Sequence, residues 1–315
     1  MKWNLNEGVT NMQVLSDAKS FVFAKIVKRS PIVASKLLYW KKFKRRLNLE
    51  NPQTFNEKLM WLKLFEDNTL KTKFTDKVEV RKYLSTLGFE NLLVPIIDIA
   101  DRVEDIIFEQ LPKKFVLKCS HGSGFNIICT DKRELDYKET RLQLEKWMVT
   151  DYSIRNAEIH YSSIKPRIII EHFLEPSSNK EPINYQLHCF HGEPRIIEVI
   201  LERDTLEEQA IMLTTDWEDT QYMKKKLPND MAAFKPKQLG ELLKIAKKLS
   251  RPFTYVRVDL YIVDEKIYFN ELTFTPAACL DDEIHEEANI ELGQLIDLNL
   301  QKLKQPISLA RSKSS

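Results

Sequence analysis

Along this 315-residue chain, apolar positions first recur at helical spacing and later alternate as they do in strands. Residues 16 to 66 read as helical, and Thr54 followed by Glu57 makes a capping-box signature just before the run LMWLKLF. A second helix is expected from about Thr75 to Gly88. LLVPIID then reads as a strand, followed by a short helix around Val103 to Glu109. From Phe115 the pattern turns to strands: FVLKCS, the turn HGSG, then FNIICTD. A helix over Arg133 to Val149 precedes the buried strand RIIIEHFL and two further strands, INYQLHCF and RIIEVILER. Residues 235 to 250 return to helix, VRVDLYIV and KIYFNELTF pair as a hairpin, and 288 to 303 close as a helix. Helices mixed with antiparallel hairpins in this order predict an α+β or mixed α/β fold, not a doubly wound parallel sheet.

The last hairpin carries the most chemistry. Centred on Glu265, it puts Val256, Val258, Leu260 and Ile262 on one face with Phe274, Leu272, Asn270 and Tyr268. That register keeps most apolar residues together. On the other face Asp259 stands opposite Glu271, and Arg257 opposite Thr273. Two opposed carboxylates repel unless a cation lies between them. A hard divalent ion such as Mg²⁺, which takes carboxylates plus substrate phosphates, resolves the conflict. A solvated face on which the same charges meet water is the plain alternative.

Two other segments invite a nucleotide. In FVLKCSHGSGFNIIC, a glycine-bearing turn joins two strands, and Lys118 sits on the first of them. Free N–H groups in such a loop can cover phosphates while a lysine supplies a point charge; the alternative is an ordinary hairpin turn. In RIIIEHFLEP, isoleucines lead to Glu171, as suits the apolar slot and edge hydrogen bonds of an adenine site. A buried strand ending in glutamate reads equally well there.

Composition narrows the classes. The length suits two or three lobes around a shared cleft. A net charge of +2, with 43% hydrophobic and 30% charged residues, gives no reason to expect nucleic acid as a partner. Only seven glycines are present, and two of them, Gly122 and Gly124, fall in the one turn. Cys119, Cys129, Cys189 and Cys279 form no C-x-x-C pair and read as reduced, packed residues. Without a leader pattern or an uninterrupted apolar run of membrane length, a cytoplasmic protein is expected. KKFKRR at 41 to 46 follows LLYW, and Lys25, Lys28 and Arg29 lie among Phe21, Phe23, Ile26 and Val27. This element, residues 21 to 46, can lie peripherally on an anionic membrane, dock an acidic glycan or lipid-linked diphosphate, or pack on the body with its charges in water.

Taken in order, NPQTFNEKLMWLKL, DKVEVRKYL, FVLKCSHGSG, RIIIEHFL, FHGEPR, VRVDLY and NELTFTPA resemble the ATP-grasp superfamily. They most resemble its teichuronopeptide-biosynthesis, TupA-like branch, over about Asn51 to Ile296. The resemblance implies an ATP-grasp fold with a helical N-terminal lobe (1–66), a middle lobe with the phosphate loop (67–164), a C-terminal lobe (165–306) and a flexible tail (307–315). It implies that Lys77 and Lys118 hold nucleotide phosphates and that His121, Gly122, Ser123 and Gly124 form the covering loop. Glu171, His172 and Leu174 match the adenine hinge, and Arg257 matches the arginine aimed at the reacting carbonyl. Asp259 and Glu271 match the magnesium carboxylates. The branch departs here at three places: Thr273 stands at the third metal position, Asn184 and Gln186 replace an acid and a lysine, and Cys279 replaces a glycine. The activity implied is Mg-ATP-dependent joining of a carboxylate to an amine on a cell-surface polysaccharide or its precursor. A glycosyltransferase and a non-catalytic ATP-binding protein are the alternatives.

Overall fold

A computed structural model describes residues 11–177, 182–201, 209–225 and 234–299. The expected tail at 307–315 lies outside them. The helical N-terminal stretch is broken twice. Helix α1 (Asn11–Arg29) ends at Ser30, whose Oγ accepts the Val33 N–H at 3.3 Å and starts α2 (Pro31–Phe43). Proline at the first helical position has no N–H to donate backwards, so one continuous helix cannot form. Lys44, at φ 57°, closes α2 in the left-handed conformation. Helix α3 (Phe55–Phe65) then opens on the expected capping box: Thr54 Oγ1 accepts the Glu57 N–H, and Glu57 Oε2 accepts the Thr54 N–H.

The helix expected at 75–88 starts later, as α5 (Glu79–Thr86), and a separate short helix, α4 (Thr69–Thr75), ends where it was to begin. The break falls where Asp76 Oδ1 accepts the Val78 N–H at 2.8 Å, a local bond that competes with helix continuation. The short helix expected at Val103 to Glu109 is two 3₁₀ turns.

Two antiparallel sheets follow. The first joins β1 (Ile96–Ala100), β2 (Phe115–Cys119), β3 (Asn126–Cys129) and β4 (Ile168–His172) in the order β1-β4-β2-β3. Phe115, Leu117, Ile168 and Ile170 bury one of its faces with Leu144 of α6 (Tyr137–Met148). The second sheet joins β5 (Asn184–Phe190), β6 (Glu193–Leu201), β7 (Gln209–Thr214), β8 (Tyr255–Val263) and β9 (Lys266–Thr273), ordered β7-β6-β5-β8-β9. Strand β7 is an addition to the sequence reading. Leu242, Ile245 and Leu249 of α7 (Leu239–Ser250) pack against Tyr185, Leu187, Val256 and Val258 on one face. Alternation then forces the polar members of β5, β6, β8 and β9 onto the other face. Helix α8 (Glu286–Gln294) closes against α3; positions 300–303 of the expected helix lie outside the described residues. Antiparallel pairing throughout makes this an α+β fold.

The β8–β9 register holds near the charged residues and slips beyond them. Arg257 pairs with Thr273 and Asp259 with Glu271 as expected, but Leu260 pairs with Phe269 and Ile262 with Ile267. An extra residue, Asn270, enters β9 as a bulge. The cause is visible in the chain: Ile267 and Phe269 are buried on odd positions, Leu272 and Phe274 on even ones. One inserted residue lets both pairs reach the same core. The hairpin turns on Asp264 and Glu265, at φ 46° and 66°, the two-residue geometry whose twist suits paired strands.

All four cysteines are buried and free, and among the described residues no helix is long and apolar enough to cross a membrane. Helix α8 approaches the α3 cap so closely that a Cβ on Gly293 would lie 2.2 Å from the Gln53 carbonyl oxygen and 2.9 Å from the Thr54 carbonyl carbon. Gly293→Ala should therefore destabilise the protein by about 3 kcal/mol, as overpacking against fixed backbone does. Thr54→Ala, which removes only a cap, should cost about 1 kcal/mol. Denaturant midpoints for the two variants check both values and their order.

Candidate active site

The face of the first sheet turned away from α6 carries Lys118 and Glu171. Glu171 is buried, yet two cations meet it: Lys118 Nζ at 2.8 Å and Arg81 Nη1 at 3.2 Å. Arg81 in turn donates to the Val94 carbonyl at 2.6 Å, which fixes it between α5 and the approach to β1. Sequence reasoning missed Arg81, which α5 brings to a strand far away in the sequence. His172 gives its N–H to the Pro95 carbonyl and its side chain to solvent, while Leu174 is half-buried beyond the strand end.

Lys77 joins the two sheets. Its Nζ donates to the Gly122 carbonyl at 2.8 Å and stands 4.0 Å from Glu271 Oε2 on β9. Burial lowers its pKa; Glu271 opposes that push and Lys118 adds to it. The turn that carries Lys77 is anchored by Arg167, which reaches Asp76 at 2.6 Å and Glu79 at 3.2 Å. In the loop itself, Ser123 and Gly124 are exposed, with Gly124 at φ 75°. A Cβ at Gly122 would press within 2.6 Å of the Phe125 ring and 3.0 Å of Tyr152. His121 is buried instead: its Nε2 meets the Trp147 carbonyl at 3.0 Å, and burial lowers its pKa, so it supports the loop as a neutral ring.

On the second sheet the opposed carboxylates are present, and protein cations already answer them. Arg257 holds Asp259 bidentately, Nε and Nη2 each 2.8 Å from a carboxylate oxygen, and Nη1 lies 3.8 Å from Glu198. Thr273 Oγ1 sits between the acids, 3.1 Å from Glu271 and 3.5 Å from Asp259. Burial pushes the Asp259 carboxyl up to about 6 against the pull of Arg257, and Glu271 and Glu198 push the same way. Glu198 was not foreseen; it is held by His188, whose other ring nitrogen meets the Tyr255 hydroxyl at 2.9 Å.

The donor set suits Mg²⁺: two carboxylates and a hydroxyl converge, all hard oxygens, and each Asp259 oxygen keeps a lone pair beyond its bond to Arg257. Among the described residues no group of three or more His, Cys, Asp or Glu gathers as a metal site, so further ligands would come from phosphate and water. A nucleotide also fits. Asn184 Oδ1 and Gln186 Oε1 are buried acceptors without a partner among the described residues, on the polar side of β5. Asn184 pairs in register with Tyr261, whose hydroxyl feels the charge of Glu171, so it marks the end of the polar face nearer Glu171. The Asp259–Glu271 pair and Lys77 mark the other.

After β9 the chain makes three consecutive left-handed residues, Ala277, Ala278 and Cys279, at φ 46°, 56° and 63°. Each such residue costs about 1–2 kcal/mol. Cys279 thus stands in a backbone conformation that suits the glycine found there in the resembled pattern. Its burial and the Thr275 bond to Glu158, 2.5 Å, hold the segment down.

A model of the TupA-like ATP-grasp family matches residues 57–297. The chain belongs to that family. No curated protein sequence matches it. It is similar to the D-alanine–D-alanine ligase of Bacillus anthracis complexed with ATP, at 17% identity and a TM-score of 0.43, covering 74% of this chain and 69% of that one. It is also similar to the ATP-grasp ligase PsnB complexed with a minimal precursor (10%, 0.37, 91% and 71%) and to phosphoribosylamine–glycine ligase of Thermotoga maritima (12%, 0.38, 68% and 52%).

Two substitutions separate the acids. Asp259→Asn mimics the protonated carboxyl and leaves Arg257 with Glu198 at 3.8 Å, so the melting temperature of the metal-free protein near pH 7 should rise slightly, whereas Glu271→Gln, at a half-exposed site, should leave it nearly unchanged. The pH dependence has a defined sign. A magnesium ion would need Asp259 as the carboxylate, so any Mg²⁺-dependent nucleotide binding should weaken as pH falls through about 6. The contribution of this group to the stability of the metal-free protein runs the other way, growing as pH falls from 6 towards 4, because the native state takes up the proton first. Melting curves with and without Mg-ATP across that range check both signs.

Proposed function

We propose that this protein is an ATP-dependent ligase that joins a carboxylate to an amine through an acyl phosphate. The observation that carries the reading is Lys77, which touches the glycine loop of one sheet and faces the Glu271 carboxylate of the other. It connects a nucleotide-suited cluster, Glu171 with Lys118 and Arg81, to a metal-suited pair beside a buried arginine. ATP would lie between the sheets, with Glu171, His172 and Leu174 at the adenine, Asn184 at the ribose, and Lys77, Lys118 and the 121–124 loop at the phosphates. Mg²⁺ on Asp259 and Glu271, with Thr273 beside them, would supply charge neutralisation for the transferring phosphoryl group.

The substrate carboxylate oxygen attacks the γ-phosphorus and the bond to ADP breaks. The amine then attacks the acyl carbon, and phosphate leaves with the former carboxylate oxygen. Charge that grows on the carbonyl oxygen in that second step would be met by Arg257. Its guanidinium is pre-oriented by Asp259 and Glu198, so no reorganisation is needed when the charge appears. Family membership supports a carboxylate or amine carried on a cell-surface polysaccharide or its precursor. Dependence on ATP supports a cytoplasmic reaction.

Thermal shifts with Mg-ATP, GTP and UDP-sugars test the nucleotide site, since a ligand that binds only the native state raises the melting temperature with concentration. ATP should give the largest shift, and a larger one from a UDP-sugar favours a glycosyltransferase. With amino acids and polysaccharide fragments supplied, ADP release should depend on the carboxylate, and hydroxylamine should trap a hydroxamate. Arg257→Ala should reduce trapping at least tenfold more than it reduces ATP binding. ATP binding without ADP release under any carboxylate would contradict the ligase reading.

A further inference from the structure

Between Asp17 and Glu50 the chain has ten lysines and arginines and no acidic residue. The structure divides these cations by direction. Lys42 and Arg45 turn inward, to Asp282 at 2.7 Å and Glu286 at 2.6 Å, and so fasten α2 to the body. Lys28 stands 3.9 Å from Asp151 at the edge. Among the described residues, Lys25, Arg29, Lys36, Lys41, Lys44 and Arg46 are exposed with no acid within ion-pairing distance.

The same two helices expose apolar side chains. Of the thirteen large hydrophobic residues exposed among the described ones, six lie here: Phe21, Val22, Ile32, Val33, Leu37 and Trp40. On α2 they are not scattered. Val33, Leu37 and Trp40 recur at helical spacing on one stripe, flanked by Lys36 and Lys41 and followed by Lys44 at the cap, while Ser35 and Tyr39 on the opposite side are buried. Trp40 is 56% exposed and Phe21 62%. Lysines stand over both rings, Lys44 Nζ 5.5 Å from the Trp40 centroid and Lys25 Nζ 4.4 Å from that of Phe21. Each such helix thus presents apolar surface beside cations that have no acidic partner among the described residues.

We propose that the α1–α2 pair docks the protein on an anionic lipid surface. The stripe suits a helix lying in the membrane plane: Val33, Leu37 and Trp40 enter the acyl boundary while Lys36, Lys41 and Lys44 meet headgroup phosphates. An acidic glycan would satisfy the lysines and leave the apolar stripe in water. A second copy docked through the same face would oppose cation to cation, because a two-fold interface pairs like with like. This docking does not depend on the ligase reading.

Vesicle sedimentation tests it with the full chain. The protein should bind vesicles containing about one-third phosphatidylglycerol, bind pure phosphatidylcholine vesicles poorly, and be largely released by high salt. Leu37→Ala with Trp40→Ala, and separately Lys36→Glu with Lys41→Glu, should each weaken binding at least about tenfold. All four side chains are exposed, so melting temperature and the Mg-ATP shift should be unchanged. Absence of wild-type binding, equal binding to both vesicle types, or variants that bind as the wild type does would overturn the proposal. So would an apolar variant that alters the oligomeric state of a protein that ignores vesicles, since the face would then be a subunit contact. Loss of the Mg-ATP shift with vesicle binding intact would count against the nucleotide reading alone.

Discussion

The polar face of the second sheet depends on one buried pair, the Arg257 guanidinium locked in both its arms to Asp259. A buried guanidinium without a carboxylate would cost several kcal/mol, and a buried Asp259 beside Glu271 and Glu198 would repel both. Together they let three acids and an arginine share the interior of a sheet that is otherwise apolar on its far side. The pair also leaves Asp259 Oδ2 within 3.5 Å of the Thr273 hydroxyl, beside Glu271.

The first sheet solves a similar problem with different residues. Glu171 sits at the end of an isoleucine run and is made tolerable by Lys118 and Arg81. Charge is therefore balanced separately on each side of the cleft, and Lys77 is the link between them. Its position rests on Arg167 and Asp76, which tie the turn before α5 to the start of β4. That chain of contacts explains why residues distant in sequence act together: Lys77, Gly122 and Glu271 converge only because two independent sheets face one another.

Much of this was legible in the chain because it is written locally. The capping box at Thr54 and Glu57, the strand–turn–strand around Gly122 and Gly124, and the facing of Asp259 and Glu271 all follow from spacing over a few residues. What was not legible depends on competition or distance. A single proline at 31 outweighs the helical period around it, and the Asp76 side chain outbids the next helical hydrogen bond. The bulge at Asn270 was readable in the switch from odd to even apolar positions, but only once both halves of β9 are required to share one core. Arg81 and Glu198 are different in kind: nothing near either residue announces a partner, because Glu171 and Arg257 come from other elements.

The most direct test of the central claim follows one oxygen atom. With a carboxylate substrate that supports ADP release, labelled with ¹⁸O, and the amine present, the phosphate released should carry one labelled oxygen. That oxygen formed the bond to the γ-phosphorus and left with it when the amine took its place. Unlabelled phosphate, with ADP formed at the same rate, would mean that no acyl phosphate forms and would contradict the account.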